Sequence, residues 1–114
     1  MAKYKTKQFV KLDYELLDNE IWQGLSRPGQ QAYIYFKRAR NKRSRGKVIN
    51  HDNGYIKFGY SDCPGMAKHT FVDAIMELRV NGFIQLIKAG QFPNIKAVYA
   101  LIDKWQQYSN SGTH

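Results

Sequence analysis

The amino-acid sequence predicts an α+β fold, with three or more helices and a small antiparallel β-ribbon. Three observations predict it: a helical repeat of apolar residues between 67 and 81, a glycine stop directly after it, and two alternating segments, 83–88 and 95–102. A chain of 114 residues has the length of one domain with one core.

The long helix, residues 67–81, has one apolar face. Phe71, Ala74, Ile75 and Leu78 are spaced i, i+3, i+4 and i+7, so they lie together on the helix and have to be buried. Asn81-Gly82 ends the helix, because glycine adopts a left-handed conformation at little cost. The opposite face is predicted to carry Lys68, His69, Val72, Asp73, Met76 and Arg79.

A short polar helix and a tight turn precede the long helix. Residues 60–63 form the predicted short helix, and Pro64-Gly65 forms the turn. Residues 55–58 alternate in polarity and predict a third strand for the small sheet. The tip of the ribbon, residues 89–94, contains Gly, Pro and Asn and is predicted to be a loop.

The first forty residues predict two further helices. Asp13 is the expected N-cap of a short helix, 14–20, whose inward side chains are Leu16, Leu17, Ile21 and Trp22. Ser26 is the expected cap of a helix over 27–40. The buried stripe of that helix is predicted to contain Ala32, Tyr33, Phe36 and Ala39. Residues 1–8 are a predicted flexible basic arm, 9–108 the folded domain and 109–114 a flexible tail.

The charge of the chain indicates a polyanionic partner. Eighteen Lys and Arg face nine Asp and Glu, which gives a net charge of +9. Such an excess is relieved by nucleic acid or by an anionic membrane surface. A membrane span needs about 20 consecutive apolar residues, and the sequence has no such run. Cys63 is the single cysteine, so an internal disulfide and a cysteine metal cluster are excluded.

Part of the chain resembles the winged helix-turn-helix family of DNA-binding proteins. The residues that carry the resemblance are Gly65–Phe71, Ala74-Ile75, Leu78 and Asn81–Ile84. The upstream segments Phe9–Leu12, Leu16–Asp18, Trp22 and Leu25-Ser26 look like the lead-in of small bacterial, plasmid and phage members that regulate replication, transfer or transcription. The resemblance covers roughly residues 9–108. It implies that the helix 67–81 lies in a DNA major groove.

The first candidate site is the exposed start of that helix. Side chains near a helix N-terminus can reach the donor and acceptor pattern of the base edges, and the N-terminus itself favours a phosphate. The predicted DNA-binding residues here are Ala67, Lys68, His69, Thr70 and Asp73, with Met76 one turn further on. The alternative is a solvated polar face without a ligand.

Two further groups are predicted to contact DNA. At the ribbon, or wing, the candidates for a phosphate or the minor groove are Lys88, Gln91, Asn94 and Lys96. The basic segment 37–47 is a predicted exposed loop, and its candidates for the DNA backbone are Arg38, Arg40, Lys42, Arg43, Arg45 and Lys47. The alternatives are an ordinary hairpin loop and a solvated run of charges.

The sequence thus predicts a sequence-specific protein that binds double-stranded DNA. Its expected role is transcription regulation, or control of replication, maintenance or transfer of a mobile element. It is expected to act as a homodimer in the cytoplasm, associated with the nucleoid, without a cofactor, metal or small-molecule ligand. No catalytic residues are predicted, because the few histidines lack a recognisable nucleophile or metal partner. The alternatives are an RNA-binding or ribosome-associated basic protein and a winged-helix protein-interaction module.

Overall fold

A computed structural model describes residues 10–40, 43–44, 47–48, 51–52, 55–90 and 96–111. Of 43–44, 47–48, 51–52 and 108–111 it describes the backbone. The helices in this part of the chain are α1 (Tyr14–Leu17), α2 (Glu20–Gln23), α3 (Arg27–Arg40), α4 (Lys68–Val80) and α5 (Lys104–Ser111), with a 3₁₀ turn at Tyr60–Asp62. The strands are β1 (Arg43–Ser44), β2 (Lys47–Val48), β3 (His51–Asp52), β4 (Tyr55–Phe58), β5 (Ile84–Lys88) and β6 (Ala97–Leu101). The predicted α+β class is confirmed.

Four antiparallel strands form the main sheet in the order β3-β4-β6-β5, with β6 between β4 and β5. Tyr99 on β6 is the centre of the register, because it lies opposite Ile56 on one side and Leu86 on the other. The two-residue strand β3 pairs with the outer edge of β4. The predicted third strand at 55–58 is therefore confirmed, and the ribbon strands end within two residues of their predicted limits.

The basic segment departs from its prediction as a loop. Residues 43–44 and 47–48 pair with each other as the antiparallel strands β1 and β2. Strands of mostly polar residues can still form a short ladder, because the ladder needs only backbone hydrogen bonds. The sequence offered no alternation from which this ladder could be predicted.

Helix α3 matches its predicted limits, and its predicted stripe of Ala32, Tyr33, Phe36 and Ala39 is buried. Its N-terminus is capped as predicted: the Oγ of Ser26 accepts from the backbone N–H of Gly29 at 3.1 Å. The ring of Phe36 lies 5.2 Å from that of Phe58 on β4, so α3 covers one face of the sheet.

The short helix predicted over 14–20 is wrong in its extent. The chain forms α1 and α2 instead, because the side chain of Asn19 accepts from the N–H of Ile21 at 2.8 Å and begins a new helix. The carboxylate of Asp13 makes no capping bond, although its backbone has the extended conformation of an N-cap. Leu17, predicted to point inward, is exposed, whereas Trp22 is buried as predicted.

Helix α4 ends as the sequence predicts. Gly82 has a φ of 81°, in the left-handed region. The N–H of Phe83 donates to the carbonyl of Leu78 at 3.0 Å, and the N–H of Gly82 donates to the carbonyl of Arg79 at 3.3 Å. These two bonds are the pair that defines a Schellman motif, and they direct the chain from α4 straight into β5.

Substitution of Gly82 by alanine is expected to destabilise the protein by about 1 kcal/mol, because a Cβ atom disfavours the left-handed conformation. Chemical denaturation measures the change. Gly24→Ala is the matched control, since Gly24 ends α2 with a φ of −83°. Equal effects of the two substitutions would contradict the role assigned to the backbone of Gly82.

Candidate nucleic-acid interface

One face of helix α4 packs against the core of the domain. Phe71, Ala74, Ile75 and Leu78 are buried, as their spacing predicted. The ring of Phe71 lies 6.0 Å from that of Phe58 on β4 and 5.9 Å from that of Tyr60 in the 3₁₀ turn. The start of α4 is therefore fixed against both the sheet and the preceding turn.

A carboxylate fixes the other end of α4 to α3. Glu77 accepts from the backbone N–H of Ser26 at 2.9 Å and from its hydroxyl at 2.6 Å. A Cβ atom on Gly29 would collide with the same carboxylate, so this glycine leaves the space that Glu77 occupies. This contact could not be predicted from the sequence, because two polar residues 51 positions apart give no local signal.

The predicted DNA-binding residues lie at the exposed start of α4. Lys68, His69 and Asp73 are exposed, and Thr70 is half-buried. Ala67 precedes the helix in an extended conformation and makes no side-chain capping bond. The first-turn N–H groups therefore receive no acceptor from the residue before them, and they are available to an anion.

The exposed face of α4 is also apolar to an unusual degree. Val72 is 54% exposed, Met76 50% and Val80 66%. Their spacing of four residues places the three side chains in one row along the helix. Val72 and Met76 are exposed on this face as predicted, whereas the sequence prediction includes no contact for Val72. The spacing alone would have shown the row.

The turn before α4 is tied to the ribbon. The carboxylate of Asp62 accepts from the N–H of Gly59 at 2.8 Å and binds the ammonium of Lys96 at 3.0 Å. The stem of Lys96 lies against Gly59, where an added Cβ would meet its Cγ at 3.2 Å. The 3₁₀ turn and the residue before β6 are thus connected at the end of the paired strands β4 and β6.

The structure describes only part of the predicted wing site. Lys88, at the end of β5, is exposed. Lys96 is bound to Asp62, so a phosphate would have to replace that carboxylate, an exchange at the surface that costs about 0–1 kcal/mol. Gln91 and Asn94 lie outside the described residues.

The basic segment begins on α3. Arg38 and Arg40 are exposed in the last turn of this helix. The neighbouring Lys37 is half-buried, and its burial lowers the pKa of the ammonium, with Arg40 adding to the decrease and Asp13 opposing it. Lys42 and Arg45 lie outside the described residues, and for Arg43 and Lys47 only the backbone is described.

The single cysteine is part of the core. Cys63 is buried, and burial raises the pKa of its thiol to about 11, with a smaller contribution from Asp62. The side chain therefore remains a neutral thiol near pH 7 and fills space beside the 3₁₀ turn.

Two kinds of site are absent from the described residues. Their His, Cys, Asp and Glu side chains form no group of three that could hold a metal ion. Their helices are also too short or too polar to cross a bilayer. The predicted contact residues that the structure describes lie on the exposed face of α4, at the end of β5 and at the basic end of α3.

Comparisons with protein-family models, with curated proteins and with solved structures find no match to this chain.

Proposed function

We propose that this chain is a winged helix-turn-helix protein that binds double-stranded DNA, with α4 in the major groove. The observation that carries the proposal is the two-sided environment of α4. Its apolar face is fixed between α3 and the sheet, while Lys68, His69 and Asp73 project from the opposite face near the N-terminus. A recognition helix needs this arrangement, because its N-terminal side chains contact base edges.

The topology around α4 supports the proposal. A tight turn with a φ of 84° at Gly65 precedes the helix, and an antiparallel ribbon follows it directly. The sheet order β4-β6-β5 places the ribbon beside the strand that comes before the turn. In such a fold the ribbon forms the wing, and Lys88 is its exposed cation for a neighbouring phosphate.

The charges of the site match its proposed ligand. Lys68 and His69 can donate to guanine O6 or N7 or to a phosphate, and Asp73 can accept from the amino group of cytosine. Arg38 and Arg40 add cations at the end of α3. Binding should weaken steeply with salt, because each neutralised phosphate releases counterions. We further propose a homodimer on a two-fold symmetric site, acting in transcription or in replication, maintenance or transfer of a mobile element.

One observation favours a second function. The row Val72, Met76 and Val80 continues into an open groove beside Gly82 and Leu86, and such apolar surface is typical of a protein-interaction module. The net charge of +9 favours the DNA-binding function over this one.

Selection of bound sites from a random duplex pool at near-physiological salt tests the proposal. We expect a defined sequence, bound more tightly than structured RNA of equal length. Lys68→Ala and His69→Ala should each weaken binding to the selected site about fivefold, as loss of a base or phosphate contact does.

Lys11→Ala is the matched control, because it removes one exposed positive charge outside α4. It should change affinity less than Lys68→Ala does. A recognition role for α4 would be contradicted if the selection enriched no duplex sequence. It would also be contradicted if Lys11→Ala and Lys68→Ala weakened duplex binding equally. A preference for structured RNA would favour the RNA-binding alternative.

A further inference from the structure

Two of the exposed apolar residues of α4 lie among its polar candidates. Val72 occupies the second turn, between His69 and Asp73 along the sequence, and Met76 is one turn further on. About half of each side chain is in contact with water: 54% for Val72 and 50% for Met76. Neither side chain is needed to fix α4, because the opposite face is already buried against the core.

The surroundings of these residues favour DNA over a second copy of the chain. Lys68 and His69 flank them at the N-terminal end of the exposed face, and the chain as a whole carries a net charge of +9. A second copy docked here would place like charges against each other. Duplex DNA would meet the same cations with phosphates and offer apolar groups on its base edges.

Thymine is the base that offers an apolar group in the major groove, its C5-methyl. Apolar side chains recognise thymine by contact with this methyl, and cytosine has a hydrogen at the same position. Val72 has a short, stiff side chain that suits a methyl close to the helix. Met76 has a long, flexible one that reaches a base further from the helix axis.

We propose that Val72 and Met76 recognise thymine 5-methyl groups and so make the binding site of this protein dependent on thymine at one or two positions. This inference rests on the proposed function, since it requires α4 to lie in the major groove. It assigns to the apolar part of the interface a specificity that the polar residues cannot provide.

The test uses the selected duplex with each thymine replaced in turn by uracil, which removes only the methyl group. For the wild-type protein we expect uracil to weaken binding about fourfold at one or two positions, the loss for one buried methyl-sized group at about 0.8 kcal/mol. Val72→Ala and Met76→Ala should each abolish the difference between thymine and uracil at one position. Fluorescence anisotropy titration gives the affinities.

Val80→Ala is the matched control. Val80 is 66% exposed in the same row, but it lies in the last turn of α4, away from the N-terminal residues that contact bases. The Val80 variant should keep the full difference between thymine and uracil. All three side chains are exposed, so their truncation leaves the core of α4 intact.

The outcomes separate this inference from the proposed function. Tight duplex binding that is unchanged by uracil at every position overturns the thymine contact and leaves DNA binding in place. Equal weakening of the thymine and uracil duplexes by Val72→Ala and Met76→Ala also overturns it, and a simultaneous loss of dimers would assign these residues to a dimer contact. Absence of duplex binding by the wild-type protein overturns both proposals.

Discussion

Replacement of Phe83 by alanine is expected to lower the free energy of unfolding by about 3–5 kcal/mol, the range for a fully buried phenylalanine. The ring of Phe83 is stacked on that of Trp105 at 5.7 Å. It also makes edge contacts with Tyr33 at 5.5 Å and Trp22 at 6.1 Å. One side chain thus connects α2, α3 and α5.

The backbone of Phe83 adds to this effect. Its N–H closes the Schellman motif at the end of α4, and its carbonyl accepts from the N–H of Ile102 at 3.1 Å. The alanine variant would have a cavity where α4, the ribbon and α5 meet. Partial collapse of this cavity would disturb all three elements. Since a domain of this size has a total stability of about 5–15 kcal/mol, the alanine variant should approach unfolding at 37 °C.

Urea denaturation followed by circular dichroism measures the loss, and two variants control it. Phe83→Leu keeps most of the apolar volume and should cost less than half as much as alanine. Ile87→Ala shortens an exposed apolar side chain of the same strand, so its effect should be within about 0.5 kcal/mol of zero. A loss for Phe83→Ala no larger than that for Ile87→Ala would show that the aromatic cluster does not hold the helices together.

The sequence predicted the elements whose cause is local. Helix α4 has a regular apolar period and a glycine that adopts a positive φ, and both signals lie within the helix and its next two residues. The limits of α3 were predicted because Ser26 caps it and the apolar period continues to Ala39. In both helices the buried residues and the terminal signals indicate the same first and last residues, and this agreement is why the predicted limits agree closely with the observed ones.

The prediction failed where two local signals competed. Residues 14–20 have helix-forming side chains, but Asn19 accepts from the backbone two residues ahead and starts a separate helix. An asparagine in a helical window can either point to solvent or cap a new helix. Contacts with residues distant in the sequence decide between these outcomes, and here the second helix carries Trp22, whose ring is buried in the core.

Contacts between distant residues could not be predicted from one sequence. Lys96 looked like a free cation of the ribbon, yet Asp62 binds it across 34 positions of chain. The candidate site was predicted only as a surface: its residues, Lys68 and His69 among them, are exposed as expected.

The contact between Glu77 and Ser26 leads to the second large expected effect. Glu77→Ala removes two hydrogen bonds to a carboxylate. Partial exposure to water reduces the stability that these bonds contribute. We therefore expect a loss of about 2 kcal/mol, below the sum for two buried charge-assisted bonds. The cap from Ser26 to Gly29 is retained in this variant, so the loss belongs to the link between α3 and α4.

Substitution of Gly29 tests this contact further, because its effect on the free energy of unfolding should have opposite signs in the wild-type and Glu77→Ala proteins. In the wild-type protein, Gly29→Ala places a Cβ where the Glu77 carboxylate lies, so the carboxylate is displaced from Ser26 and the protein is destabilised. In the Glu77→Ala background the nearest remaining atom is the Oγ of Ser26, 3.3 Å from the added Cβ, a contact that a small shift of the side chain relieves. The same substitution should then stabilise α3 by about 0.5–1 kcal/mol, because alanine is a better helix former than glycine.

A double-mutant cycle on the four proteins measures the coupling, with denaturation as the readout. Gly24→Ala should have the same effect in both backgrounds, because an added Cβ there would meet the backbone carbonyls of Glu20 and Ile21 and no atom of Glu77. If Gly29→Ala stabilised the wild-type protein as much as the Glu77 variant, the carboxylate would not occupy the space beside Gly29. The sign change would show instead that Glu77 fixes the C-terminal half of α4 on the start of α3, and so sets the orientation in which the exposed face of α4 is presented.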